Sequence, residues 1–187
     1  KKMHSGQPVI GIWNTLASPL VTEALAVAGL DFQIIDLEHG PFILDQIHLH
    51  VSACENNGKC SPLVRIPHLA GWMALQALDQ GAHGLVVPHV TTNDDAFSIG
   101  KWSKYPPNGE RGFSPFTKAG GFGAWEPEKY SDFANDSLVN VAIVESKEGL
   151  NNLDKLLAED VADVIYFGAY DLSQEYGRAG DMKNPEL

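Results

Sequence analysis

Short apolar runs alternate with amphipathic stretches along this chain, and that alternation limits the possible folds more than any other feature. PVIGIW (8–13), FQIID (32–36), PLVRIP (62–67), GLVVPHV (84–90), VNVAIVE (139–145) and ADVIYFGA (162–169) read as strands. PLVTEALAVAG (19–29), ILDQIHLHVSACENNG (43–58), GWMALQALDQG (71–81), TNDDAFSIGKW (92–102) and KEGLNNLDKLLAE (147–159) read as helices, with a short one at DLSQEYG (171–177). Gly29 and Asn57-Gly58 are stop signals, and Thr92 is an N-cap. Residues 104–137 read as one long loop. GGFGAW (120–125) within it follows no strand and lacks the third glycine of a dinucleotide fingerprint, so it reads as a mobile loop. Six strand–helix units with continuous Val/Ile/Leu strands mean a parallel sheet covered on both faces.

Six units fit either an open doubly wound sheet or most of a (β/α)8 barrel. His39 follows strand 2, Arg65 and His89 end strands 3 and 4, Glu145 ends strand 5, and Asp171 follows strand 6. An open sheet gathers its site at one switch point, whereas a barrel brings every strand end to one mouth. Reactive residues on so many strand ends favour the barrel. A full barrel takes about 250 residues, so the expectation is a single α/β domain over 1–187. It would be a (β/α)8 TIM barrel without its last two units.

Acidic residues outnumber basic ones 24 to 13, a net charge of −11. Such a surface repels a phosphate backbone, so no nucleic-acid partner is expected. No apolar run approaches the ~18 residues that span a bilayer, and KKMHSGQPV has charge without an apolar core, so no membrane or leader segment is expected. Cys54 and Cys60 are too few for a disulfide framework and read as reduced thiols in a cytoplasmic protein. With His48 and His50 they lack zinc-site spacing, since residues two apart on a helix face different directions.

The strand ends suggest chemistry. Glu145 and Asp171 project into one mouth, and two carboxylates completed by water and substrate oxygens suit Mg²⁺ or Mn²⁺. Each could instead cap a helix or pair with a base. Arg65 lies between Val64 and Ile66 and needs an anionic partner. That partner is either a core carboxylate such as Asp36 or a substrate carboxylate held by the guanidinium fork. His39 beside Glu38 suggests a general base oriented by a carboxylate such as Asp79; the alternative is a solvated loop histidine. His89 is placed to line the mouth. Arg111 either anchors the long loop or reaches a distal substrate carboxylate. A 2-oxo acid would chelate such a metal, which stabilises the enolate formed on proton loss or carbon–carbon cleavage.

"IIDLEHGP", "PLVRIP", "ALDQGAHGLVVPHV", "KYPPNGERGFS", "VESKEGLNNLD" and "YFGAYDLSQEYG" together resemble the HpcH/HpaI aldolase family. These are metal-dependent class II pyruvate aldolases such as 2-dehydro-3-deoxyglucarate and 4-hydroxy-2-oxoheptanedioate aldolase. The resemblance runs from GIWNTLASP to the end of the chain. It implies a barrel of the phosphoenolpyruvate/pyruvate type, assembled as a homo-oligomer, a hexamer that exchanges its last helix. It implies reversible cleavage of a 4-hydroxy-2-oxo acid to pyruvate, or a related 2-oxo acid, and an aldehyde, with Mg²⁺, Mn²⁺ or Co²⁺. Glu145 and Asp171 would be metal ligands and Arg65 the carboxylate and enolate binder. His39 would be the acid–base group, with Asp79 as its partner. Asp36 and Glu38 would hold the metal's waters. The backbone of Gly168, Ala169 and Tyr170 would face the substrate carboxylate, and Trp13 would line the mouth.

Two departures stand out. Ile143 occupies an inward position where the family usually has glutamine. The chain also ends where the family enters its sixth helix, before strands 7 and 8. A CoA-thioester lyase of the same superfamily, and a catalytically weak barrel kept for binding or assembly, are the alternatives.

Overall fold

The structure, a computed structural model, describes residues 2–56, 59–158 and 162–183. Six strands, β1 (Gly11–Asn14), β2 (Phe32–Asp36), β3 (Ser61–Arg65), β4 (Gly84–Val87), β5 (Val139–Val144) and β6 (Val164–Phe167), form one sheet in sequential order. Every pairing is parallel. The helices are α1 (Pro19–Val27), α2 (Ile47–Glu55), α3 (Gly71–Asp79), α4 (Asn93–Ser103), α5 (Pro127–Ser137), α6 (Lys147–Asn151), α7 (Leu153–Ala158) and α8 (Ala169–Glu175). Sequential order with a helix after every strand is the winding of a (β/α) barrel. No β6–β1 pairing closes the sheet among the described residues, yet the Trp13 and Tyr166 rings of the two edge strands meet at 5.2 Å. The sheet is therefore curled into a trough.

Alternation along the strands separates two apolar layers. The concave face carries Ile34, Leu63, Val86, Val141 and Ile143, with Trp13, Phe32 and Val164 against them. The convex face carries Ile35, Val64, Leu85, Val87 and Val144, packed on Ile47, Val51, Ala74, Leu78 and Ile99 of the helices. Each such buried side chain contributes about 1.5–3 kcal/mol. The convex positions Asn14, Gln33 and Asn140 are polar and buried. Gln33 donates to the Thr22 carbonyl at 2.8 Å and accepts from Asn14 at 3.1 Å, and the Thr22 hydroxyl meets His50 Nδ1 at 2.8 Å. This network satisfies buried groups that would otherwise be costly.

Strand β2 covers the expected 32–36, and Gly29, at φ +97°, stops α1. Thr92 caps α4 in a reciprocal box with Asp95. Strand β1 starts at residue 11 rather than 8, because its partner β2 begins at Phe32 and Ile10 is already turned onto the Asp31 carboxylate. The long loop over 104–137 needs correcting: its last third is α5, started by Pro127 in the first turn with Glu128 beside it. GGFGAW contains a 3-10 turn at Gly121–Gly123. The expected helix over 147–159 is two short ones, broken at Asn152, whose side chain donates to the Thr91 carbonyl. The Asn57-Gly58 stop and Glu159 lie outside the described residues. Among the described residues no helix is long and apolar enough to cross a membrane.

Candidate active site

Counting by twos up the concave face leads from Ile34 to Asp36, from Leu63 to Arg65, and from Ile143 to Glu145. The same pleat that buries the apolar residues therefore delivers two acids and a base to one rim of the trough. Asp36 and Arg65 are register partners.

Asp36 is 1% exposed and fully used. Its carboxylate accepts from Trp13 Nε1 at 2.8 Å and from the backbone N–H groups of Glu38 and His39 at 2.9 and 3.1 Å. Those two backbone bonds fold the chain into a turn as soon as β2 ends. The turn points Glu38 at Arg65, where it forms an ion pair, with Asp36 3.6 Å from the other terminal nitrogen. Arg65 also lies over the Trp13 ring at 5.3 Å. The core-carboxylate partner expected for Arg65 is thus present, and Glu38 is the nearer one. Arg65 Nε is buried with no hydrogen-bond partner among the described residues.

Glu145, buried just past β5, accepts from the backbone N–H of His89 at 2.8 Å, and His89 Nδ1 lies 3.0 Å from the same oxygen. The carboxyl group is pushed above its ordinary range, first by burial. The charge of Asp171 pushes the same way, while the His89 N–H, the His89 ring and Arg65 pull against it. Gly168 makes room for this group: a Cβ there would lie 2.6 Å from Glu145 Oε2. Asp171 sits half-buried in the first turn of α8. Among the described residues no three His, Cys, Asp or Glu side chains converge on a metal position. A divalent ion here would rest on Glu145 and Asp171 and complete its shell with water and substrate oxygens. Mg²⁺ sites are commonly built this way, so the donor set fits the expected metal.

Trp13, Asp36, Glu38, Arg65 and Glu145 come together as expected, with Asp171 in electrostatic reach of Glu145. Two expectations need correction, the pairing of His39 with Asp79 and the outward-facing Gly168 N–H. His39 is exposed, and its ring forms no hydrogen bond among the described residues. Asp79 is not its partner within the chain. It ends α3 in the helix layer, where Arg111 takes its carboxylate at 2.9 Å. Arg111 is stacked on Tyr105 at 4.5 Å and so anchors the long loop. The Gly168 N–H does not face a substrate, because it donates to the Val144 carbonyl at 3.1 Å. Only the first-turn N–H groups of Ala169 and Tyr170 remain without an intrahelical acceptor. Ile143 is 1% exposed and lies one pleat below Glu145, facing inward.

The residue whose importance the sequence understated is His89. Its φ of +55° turns the ring between Glu145 and Glu38, with Nε2 3.7 Å from the latter. A histidine straight after a strand-ending proline was the available signal. A cavity of about 1680 Å³ is lined by apolar residues such as Ile34, Leu63, Val141 and Val164 lower in the trough. It contains none of the acids at the mouth, so volume and chemistry are separated here.

Residues 9–187 match the family model described as HpcH/HpaI aldolase/citrate lyase. A hydroxypyruvate/pyruvate aldolase of Roseovarius nubinhibens is 33% identical over 185 residues, 99% of this chain and 71% of that protein. A 5-keto-4-deoxy-D-glucarate aldolase of Enterobacter sp. (strain 638) is 32% identical over 95% of this chain and 68% of that protein. The crystal structure of an HpcH/HpaI aldolase from Desulfitobacterium hafniense DCB-2 superposes with a TM-score of 0.91 at 31% identity, over 99% of this chain and 71% of that one.

Proposed function

Since this chain belongs to the HpcH/HpaI aldolase/citrate lyase family, we propose that its mouth cleaves a 4-hydroxy-2-oxo acid, reversibly, to an aldehyde and pyruvate or a close 2-oxo acid. The observation that carries this reading is the convergence at one mouth of Glu145, buried and bonded to His89, with the Asp36–Arg65–Glu38 ion-pair cluster. Two acids against one arginine suit a substrate that brings both a carboxylate and a chelating ketone.

Each residue then has a task. Arg65 binds the substrate carboxylate, while Glu38 and Asp36 hold its guanidinium in place. The N–H groups of Ala169 and Tyr170 add donors from the start of α8. Glu145 and Asp171 would hold Mg²⁺, Mn²⁺ or Co²⁺, which when bound supplies a Lewis acid for the 2-oxo group. Trp13 excludes water beneath Arg65 and fixes Asp36. His39, at the open rim, takes and returns the proton. A homo-oligomer, a hexamer by resemblance, would be needed to bring an Asp79 to that histidine, because the two do not meet within one chain.

The relative named for hydroxypyruvate as well as pyruvate supports a donor pocket that admits either. The test avoids the unidentified aldehyde. Pyruvate in D₂O should lose its methyl proton signal in NMR when the protein holds Mn²⁺ or Mg²⁺, and keep it with EDTA. No exchange in folded, metal-loaded protein would overturn the reading and favour a barrel that binds without turnover. Cleavage of malyl-CoA in preference to 4-hydroxy-2-oxo acids would favour the thioester lyase.

A further inference from the structure

Away from the mouth, Cys54 in the last turn of α2 and Cys60 just before β3 are both buried, in one small cluster with Ala26 and Leu30. The two side chains pack in this one cluster, close enough for each thiol to shift the titration of the other. Gln33 Nε2 also donates to Cys60 Sγ, at 3.6 Å. The two thiols differ in access. Cys60 lines a pocket of about 180 Å³ with Glu55, Lys59, Ser61 and His83, and Cys54 does not.

We propose that Cys54 and Cys60 form a peroxide-sensitive thiol pair, with Cys60 the reacting sulfur and Cys54 the resolving one, which closes to a disulfide within the chain. The Gln33 N–H on Cys60 Sγ favours a thiolate there, and the pocket beside Cys60 gives a small oxidant a way in, which sets the order of events. Cys60 is accordingly lowered to about 7, first by the Cys54 hydrogen bond and further by Gln33 and the charge of His83, against burial and the charge of Asp31. Cys54 is pushed up, first by donating that hydrogen bond and then by burial and the Cys60 and Glu55 charges.

The chemistry balances with hydrogen peroxide as the oxidant. The Cys60 thiolate attacks one peroxide oxygen, the O–O bond breaks, and the departing hydroxide leaves as water after taking a proton, giving a sulfenic acid. The Cys54 sulfur then attacks the Cys60 sulfur. The S–O bond breaks, a second water leaves with the Cys54 proton, and a disulfide remains. Two thiols and one peroxide give one disulfide and two waters.

Lys59 lies between the cysteines, so trypsin separates them unless a disulfide joins their peptides. Folded, reduced protein is treated with a small excess of hydrogen peroxide, blocked with an alkylating reagent and digested without reductant. The expected result is loss of both thiols together, a linked peptide pair in the mass spectrum, and recovery with dithiothreitol. Cys54→Ser, or Cys54→Ala should serine not fold, should stop at a Cys60 sulfenic acid trapped by dimedone. Cys60→Ser should leave Cys54 unreactive. Thiols that stay intact in the folded protein, that oxidise one at a time to sulfinic acid, or that join two chains on a non-reducing gel would each overturn the proposal.

Discussion

Gly168→Ala tests whether the mouth is as tightly built around Glu145 as the structure shows. Gly168 has φ −80° and ψ 76°, the inverse γ region, which alanine also adopts. The substitution therefore probes space and not backbone strain. A Cβ at 168 would sit 2.5 Å from Glu145 Cβ and 2.6 Å from Oε2. The carboxylate oxygen can swing away, but the Glu145 Cβ belongs to the end of β5, to which Gly168 is tied by its N–H on the Val144 carbonyl. Restoring an ordinary carbon–carbon contact means parting the two segments by roughly 1 Å. Overpacking of this kind costs about 1–3 kcal/mol, and the stiffer unfolded chain returns about 0.4–1 kcal/mol. The net loss is roughly 1–2 kcal/mol. With a urea slope of roughly 2 kcal/mol per molar, the midpoint should fall by roughly 0.5–1 M. Displacement of Glu145 should weaken Mn²⁺ binding, followed by the electron paramagnetic resonance of free Mn²⁺, by at least about tenfold, or about 1.4 kcal/mol. In a Glu145→Gly background, which removes the clashing Cβ, the stability loss should largely vanish. An unchanged midpoint and Mn²⁺ affinity in Gly168→Ala would refute the close approach on which the site rests.

Three further outcomes are expected. Glu145→Gln should weaken Mn²⁺ binding by at least about 100-fold, about 2.7 kcal/mol, and abolish metal-dependent pyruvate exchange. Stability of the metal-free protein at neutral pH should hold or rise, because burial and Asp171 both disfavour the charge that is removed; isothermal titration and urea melts read the two effects. Arg65→Met leaves Asp36 and Glu38 buried without their cation and should cost about 3–5 kcal/mol, seen as a lower urea midpoint. Asp95 is opposed by burial but held below the ordinary aspartate range by the N–H groups and hydroxyls of Thr91 and Thr92. Its folded value is depressed, so its contribution is complete above the unfolded value and lost as pH falls through the folded one. The stability gap between wild type and Asp95→Asn should therefore be constant above about pH 5 and close below about pH 4; a gap that persists in acid would refute the capping role.

The site was legible where a short-range rule fixes direction and illegible where a distant contact does. Period-two alternation alone places Asp36, Arg65 and Glu145 on the face shared by Ile34, Leu63 and Ile143, so their convergence followed from the sequence. The same rule turns His89 away from the mouth, since Val86 is the inward member of β4. Only the left-handed backbone at His89, φ +55°, reverses it, and positive φ is uncommon at any non-glycine residue even though histidine adopts it more often than most. Asp79 was misjudged for a related reason. Its partner Arg111 lies 32 residues on, in a loop that carries no periodic pattern. Helix α5 escaped notice because its eleven residues include just three apolar-bodied side chains, Tyr130, Phe133 and Ala134, too few for a stripe.

The mouth also makes sense as a balance of charge. Asp36, Glu38, Glu145 and Asp171 face a single arginine, and the nearest histidine is wedged between two of the acids. A site assembled for stability alone would have a second base or fewer acids, because each unmatched buried carboxylate is destabilising. Glu145 is pushed up first by burial and further by the charge of Asp171, whereas the Asp36 oxygens are covered by an indole and two backbone N–H groups. Glu145 and Asp171 thus form an acidic pair at the mouth, and Arg65 is the guanidinium beside it. A cation suits the pair and a carboxylate suits the guanidinium. A 2-oxo acid bound with a divalent ion supplies both in one ligand, which is why this geometry supports the proposed reaction.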